Sequence, residues 1–222
     1  MSYKLTYFDI QGAAEKVRLA FVLSGIPFED ERVNFAQWSE MKPNTKFGQL
    51  PLLSIDGGEP IAQSGAMLRF VGRQGNGTLS PSDPAEELRM NEIIGLSEDL
   101  DRAFVPCLYM SMKPVEYGMP EDFAKTDAGK EHIRLMRVRF VEEKLPFFLN
   151  HLQTSLAASG GGFFGGSSPS LADCQILPQL CKFQAGFIDH IPTTVLDGHP
   201  GIIEWIARMK AIPEVAAWYS KK

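Results

Sequence analysis

Gly48-Gln49-Leu50-Pro51-Leu52-Leu53-Ser54-Ile55-Asp56-Gly57-Gly58-Glu59-Pro60-Ile61-Ala62-Gln63-Ser64 carries a complete structural phrase. Leu52 to Ile55 is a short apolar run, Asp56-Gly57-Gly58 is a turn, and Glu59 to Ala62 returns antiparallel to the first run. A helix from about Ser64 to Val71 follows. Leu50-Pro51 stands directly before the first strand, where a residue without a ladder donor is awkward. Read from the residues alone it is either a trans proline at a strand edge, the commoner form, or a cis proline making a tight approach to the strand. The cis form would leave the Leu50 N–H and C=O facing outward, free to pair with an extended peptide. Gln63-Ser64 opens the helix, so the Ser64 hydroxyl and the first N–H groups form either a plain N-cap or a carboxylate site.

Upstream, Lys4 to Phe8 reads as a strand. Ala13 to Ser24 places Val17, Ala20, Phe21 and Ser24 on one helical face before Gly25 stops it. Glu29 to Asn34 is a second strand. The order β-α-β followed by β-β-α predicts an α/β domain with a mixed sheet. Gly75-Asn76-Gly77 through Pro81-Ser82-Asp83-Pro84 concentrates breakers between two periodic regions, which sets a domain boundary near residue 80. Beyond Ala85 the pattern is helical, with segments expected at about 85–112, 128–158, 170–189 and 200–210. The fold class is therefore α/β plus all-α: residues 1–80 form the first domain and 81–222 a helical bundle.

The 222 residues are 44% hydrophobic, enough for a substantial core. The net charge is −5 and Lys and Arg are scattered, which leaves no electrostatic footprint for nucleic acid. No apolar run reaches the roughly 20 residues of a membrane span, and the chain starts on a strand pattern without a signal core, so a cytosolic protein is expected. Cys107, Cys174 and Cys181 have no metal or redox spacing and read as free thiols; Cys174 and Cys181 share one predicted helix as apolar packing. His132, His151, His190 and His199 occupy no metal-binding spacing, so no metal or hydrolytic triad is expected. Gly160-Gly161-Gly162 and Gly165-Gly166 lack the following Gly-Lys-Ser/Thr of a phosphate loop and read as a flexible turn. After them, Ser170 caps a helix and Asp173 reaches back to it, a structural capping box.

Tyr7, near the end of the first strand with Gly12 and a helix start just beyond, is by itself either a half-buried core residue or a polar group held at a site. Taken together, Tyr7-Phe8, Gly48-Gln49-Leu50-Pro51, Gln63-Ser64 and Ser170-Leu171-Ala172-Asp173 resemble the tyrosine-type cytosolic glutathione transferases of the alpha, mu, pi and sigma group, over the whole chain. That resemblance implies a thioredoxin-like first domain that binds glutathione and a helical second domain that supplies most of the wall for an electrophile. It also favours the cis form of Pro51.

By the same resemblance, Trp38 and Lys42 would contact the glycyl carboxylate end of glutathione, and Leu50 would pair backbone to backbone with its cysteinyl part. Gln63 and Ser64 would take the γ-glutamyl end with Gln49 beside them. Asp99 would reach across a homodimer interface to the γ-glutamyl amine. Phe47 resembles an aromatic key that inserts into the neighbouring subunit, with an internal core role as the alternative. Phe8, Ile10 and Tyr109 are candidates for the wall around a small hydrophobic electrophile, with a core role as the alternative for Tyr109. One departure stands out: relatives often carry a basic residue in the loop after the tyrosine, where this chain has Gln11-Gly12-Ala13-Ala14, unless Lys16 or Arg18 substitutes.

The implied chemistry follows from the thiol. Its reference pKa of about 8.5 leaves only a few per cent thiolate at neutral pH, and the thiolate is the nucleophile. A hydroxyl donor from Tyr7 aimed at sulfur, with a helix N-terminus nearby, would favour the anion. Expected activities are conjugation of glutathione as co-substrate, with no bound cofactor, and reduction of organic hydroperoxides. The alternatives are a glutathione-dependent isomerase of prostaglandin type, a non-catalytic crystallin-like or scaffold protein, and a glutaredoxin-type oxidoreductase. The last is disfavoured by the absence of a cysteine near Tyr7.

Overall fold

The computed structural model describes residues 1–75 and 79–221. Part of the expected linker, residues 76–78, lies outside the described residues. Four strands, β1 (Tyr3–Phe8), β2 (Glu29–Val33), β3 (Leu52–Ile55) and β4 (Ile61–Ala62), form one sheet in the order β2-β1-β3-β4. β1 runs parallel to β2 and antiparallel to β3, and β3 pairs antiparallel with β4, with Leu5 opposite Leu53 and Tyr7 opposite Arg32. The sheet is therefore mixed, as the order of segments requires. Helices α1 (Glu15–Leu23), α2 (Phe35–Met41) and α3 (Ser64–Gly72) complete the first half, a thioredoxin-like arrangement. Every described element from Pro84 onward is helical: α4 (Pro84–Met112), α5 (Asp127–Arg139), α6 (Leu145–Ala158), α7 (Leu171–Gln184), α8 (Pro200–Ala211) and α9 (Pro213–Ser220), with short 3-10 turns between some of them.

The apolar stripe read on α1 is the one the fold uses. Val17, Ala20, Phe21 and Ser24 are all buried, and they share the core with Leu5 and Leu53 from the sheet and Met67, Leu68 and Val71 from α3. The two halves meet through the same core, because α1 and α3 both pack on α7, whose N-terminal half is buried on every side. Asp173 organises that junction. Its carboxylate accepts the Ser170 backbone N–H at 2.8 Å and hydroxyl at 2.9 Å, the Phe164 N–H at 3.0 Å and the Trp205 indole N–H at 2.7 Å. Burial pushes its carboxyl above the ordinary value while these donors oppose the shift.

Several expectations change in detail. The segment expected as one helix over 128–158 is two helices joined by a π-turn, Phe140–Lys144, which inserts one extra residue per turn without breaking the chain direction. α7 stops at Gln184, before Gly186, whose φ of +74° no helix continues through, so 185–189 is not helical. The glycine segment is the expected turn, and it is tightly packed. Gly161 lies against the Gly166 backbone, where a Cβ has no room, Phe163 and Gly166 exchange backbone hydrogen bonds, and the Asp173 carboxylate holds the Phe164 N–H. Ser64 is not an N-cap. Gln63 occupies that position at φ +81°, Ser64 is the first helical residue, and no side chain caps the helix. The three cysteines are free, with Cys107 and Cys174 buried and Cys181 half-buried.

Candidate active site

The site forms where β1 ends. Tyr7 is 9% exposed, and its hydroxyl accepts the Ala13 backbone N–H at 3.1 Å. Gly12 makes that approach possible: at φ +44° its backbone passes so close that a Cβ would lie 2.5 Å from the Tyr7 hydroxyl. Because an N–H is donated to the phenol oxygen, the phenol proton is left to point elsewhere. Burial, with a smaller contribution from nearby Tyr109, holds the Tyr7 hydroxyl above its ordinary value of 10.0, while the Ala13 N–H and Arg18 pull it down. The Tyr7 phenol is thus neutral at physiological pH and keeps its proton.

Arg18 fixes the loop from beneath. It is fully buried, bonds the Ile10 carbonyl at 2.7 Å and the Phe8 carbonyl at 3.3 Å, and pairs with Glu15 at 3.2 Å and Asp30 at 2.9 Å. Its guanidinium carbon is 5.7 Å from the Tyr7 ring centroid. The Glu15 carboxylate in turn accepts the Trp218 indole N–H of α9 at 3.0 Å. Arg18 is therefore committed on all sides, and no cation stands at position 13, where the residue is Ala13. Lys16, in the first turn of α1, is held differently: burial lowers its pKa, Asp101 and Glu98 oppose that, and it makes no hydrogen bond or ion pair among the described residues.

Around Tyr7 the structure groups the other candidates unevenly. Phe8 packs against Tyr7 at 5.5 Å and, across the sheet end, against Phe35 at 4.9 Å and Trp38 at 6.3 Å, both on α2. α2 itself is started by Asn34 and Gln37, which cap each other's backbone N–H groups at 2.9 and 2.8 Å. The Lys42 stem passes beside Gly48. Leu50-Pro51 is cis, and the Gln63 amide donates to Gln49 at 3.1 Å; Thr6 pairs with Leu52 and Leu52 with Ala62, so Tyr7, Pro51 and Gln63 lie at the same end of the sheet, with Ser64 next to Gln63 and Trp38 of α2 reached through Phe8. Gln63 holds a strained positive φ of +81° directly before the first turn of α3.

Tyr109, on α4, is half-buried, lies near enough to Tyr7 to act on it electrostatically, and is not among the buried core residues. Ile10 is separate. It is 57% exposed and lines a cleft of about 690 Å3 with Asp9, Arg32 and Trp218. Phe47 is 55% exposed, with the Lys46 ammonium 5.6 Å from its ring centroid, so the internal core role does not apply. Asp99 is exposed on α4 and pairs with Arg102. Among the described residues no group of His, Cys, Asp and Glu could hold a metal ion, and no helix is long and apolar enough to cross a membrane.

Residues 3–73 match the family described as glutathione S-transferase, N-terminal domain, and residues 120–222 match glutathione S-transferase, C-terminal domain. The chain is 34% identical over 220 residues to glutathione S-transferase 1 of Ascaris suum, covering 99% of this chain and 96% of that one. It is 28% identical over 228 residues to the hematopoietic prostaglandin D synthase of Gallus gallus, covering 100% and 96%. The crystal structure of monomeric Na-GST-3, a glutathione S-transferase of the hookworm Necator americanus, superposes with a TM-score of 0.78 at 29% identity, covering 100% of this chain and 98% of that one. The chain belongs to the glutathione S-transferase family.

Proposed function

We propose that the chain conjugates glutathione to hydrophobic electrophiles as a tyrosine-type transferase in which the Tyr7 hydroxyl donates a hydrogen bond to the glutathione sulfur. The carrying observation is the Ala13 N–H donated to the Tyr7 oxygen, which leaves the phenol proton free for another acceptor, together with burial that keeps the phenol neutral. A thiolate accepting that proton is stabilised as a charge-assisted partner, worth about 1.5–3 kcal/mol. This lowers the thiol pKa by roughly one to two units, enough to make a large fraction nucleophilic at neutral pH. Further lowering would weaken the nucleophile.

In this reading residues 1–80 hold glutathione and residues 81–222 complete the electrophile site. Trp38 and Lys42 meet its glycyl carboxylate, and the outward backbone of Leu50 beside Pro51 pairs with its cysteinyl part. Gln49, Gln63 and Ser64 take its γ-glutamyl end. The free Ser64 hydroxyl and the uncapped first turn of α3 support the last of these, because they leave donors for a carboxylate. Phe8 and Tyr109 supply the apolar wall near sulfur, and proximity adds to thiol activation. Reduction of organic hydroperoxides needs the same thiolate. A cytosolic homodimer, with Asp99 and Phe47 as contacts, is the assembly proposed; their exposure supports it.

A second reading, glutathione-dependent isomerisation of a prostaglandin-type endoperoxide, is favoured by the likeness to the avian synthase. Purified protein should bind glutathione and conjugate 1-chloro-2,4-dinitrobenzene. Glutathione binding with endoperoxide isomerisation and no conjugation would select the second reading, and a folded protein that does not bind glutathione would end both.

A further inference from the structure

Glu15 joins the last helix of the chain to the loop that holds Tyr7. Its side chain is fully buried in the first turn of α1 and is met from two sides. One carboxylate oxygen receives Arg18 Nη1 at 3.2 Å, and the other receives the Trp218 indole N–H of α9 at 3.0 Å. The Tyr219 hydroxyl is hydrogen-bonded to the same carboxylate, and burial pushes that phenol well above its ordinary value. α9 packs on α1, so two residues 203 positions apart in the chain share one buried charge. A carboxylate so placed depends on its donors, because a buried charged acceptor that loses one is left short of the hydration it gave up on folding.

Arg18 carries this dependence to the site. The Nη1 that meets Glu15 also bonds the Ile10 carbonyl at 2.7 Å and reaches the Gln11 carbonyl at 3.5 Å, the two carbonyls directly before Gly12. A guanidinium is a planar, rigid fork, so the carboxylate and the loop cannot shift independently around that nitrogen. Asp30 does not stand in for Glu15, since it meets a different nitrogen, Nε, at 2.9 Å. From Gln11 the loop runs on to Ala13, whose N–H fixes the Tyr7 oxygen at 3.1 Å. The geometry points to Glu15 as a positioning residue through which Trp218 and α9 set the loop that orients the Tyr7 hydroxyl. This rests on Tyr7 acting on the glutathione sulfur, and it makes the C-terminal helix part of that step.

Trp218→Phe keeps an aromatic ring against Phe28 and removes the indole N–H. A double-mutant cycle with Tyr7→Phe reads whether the two act through one another, with kcat and the glutathione KM measured for conjugation of 1-chloro-2,4-dinitrobenzene and folding checked by the thermal transition. Trp218→Phe should lower kcat about three- to tenfold with KM within about twofold when Tyr7 is present, and lower it by less than about twofold in the Tyr7→Phe background. Glu15→Gln should follow the same pattern. Val215→Ala, which thins the buried face of the same helix, should leave kcat within about twofold in either background. An equal fold loss from Trp218→Phe in both backgrounds, or no loss in either, overturns the inference. A Tyr7→Phe protein as fast as wild type ends the thiol-activation reading and this inference with it, whereas a silent Trp218→Phe beside an impaired Tyr7→Phe ends the inference alone. If Glu15→Gln does not fold, the Trp218→Phe cycle decides.

Discussion

Gly12→Ala tests how closely the loop must fit Tyr7. Gly12 has φ +44°, a conformation that costs an alanine roughly 1–3 kcal/mol when the surroundings hold it there. The added Cβ would lie 2.5 Å from the Tyr7 oxygen and 2.8 Å from a ring carbon, where ordinary contact begins at 3.4 Å, so the two must separate by about 0.9 Å. Neither side yields easily. The Tyr7 ring is buried against Phe8, and the loop is clamped through Arg18 at the Phe8 and Ile10 carbonyls. A displacement near 1 Å at a reacting group costs on the order of 100-fold in rate, so kcat/KM for conjugation should fall by roughly 30- to 100-fold while glutathione binding changes little. Stopped-flow conjugation with glutathione titrations in parallel reads both quantities, and chemical denaturation should report a loss of about 1–3 kcal/mol. A Gly12→Ala protein within threefold of wild type in kcat/KM would refute the claim that the loop positions the donor.

Asp173→Ala strips the carboxylate that accepts the Trp205, Phe164 and Ser170 donors, and urea unfolding should show a loss of about 3–5 kcal/mol. Because the Tyr7 hydroxyl is held above its ordinary pKa of 10.0, the phenol stays protonated, and the conjugation rate should rise with pH through thiol ionisation without a falling limb below about pH 10. A fall in rate near pH 8–9 with the protein still folded would contradict a neutral donor. Phe47→Ala should shift sedimentation toward the monomer, since more than half of the ring's residue is exposed in its own chain. A wild-type protein that is already monomeric, as the hookworm structure is, would remove Asp99 and Phe47 from the site.

What could be read in the sequence was what local chemistry dictates. The Leu52–Ile55 and Ile61–Ala62 hairpin, the α1 stripe and the Ser170–Asp173 cap are set by residues within a few positions of one another. α2 escaped because none of its residues is buried, so it leaves no apolar period; its only signal was Asn34 with Gln37 three residues on. The π-turn after Arg139 was invisible because an inserted residue preserves an apparently continuous helical pattern. Gln63 held the place expected for Ser64 because a positive φ on a non-glycine residue is imposed by tertiary structure, not by propensity. The glycine segment 160–166 looked loose because glycine serves close packing and freedom alike; only the contact with Gly166 distinguishes them. Tyr7, Gln63 and Ser64 were legible as a set through their order along the chain. Glu15 and Trp218 were not, since nothing in sequence connects two residues on α1 and α9 that meet at one buried carboxylate.

The most direct test of Tyr7 as thiol activator is conjugation by wild type and Tyr7→Phe across pH 6–10, with glutathione affinity measured for both. Phenylalanine keeps the ring and removes the donor, so the account predicts nearly equal binding. It also predicts a rate ratio of roughly 10- to 100-fold at neutral pH that shrinks as pH passes the thiol's ordinary value of about 8.5. Equal rates at neutral pH, or a deficit that does not diminish with rising pH, would contradict the claim that the Tyr7 hydroxyl stabilises the thiolate.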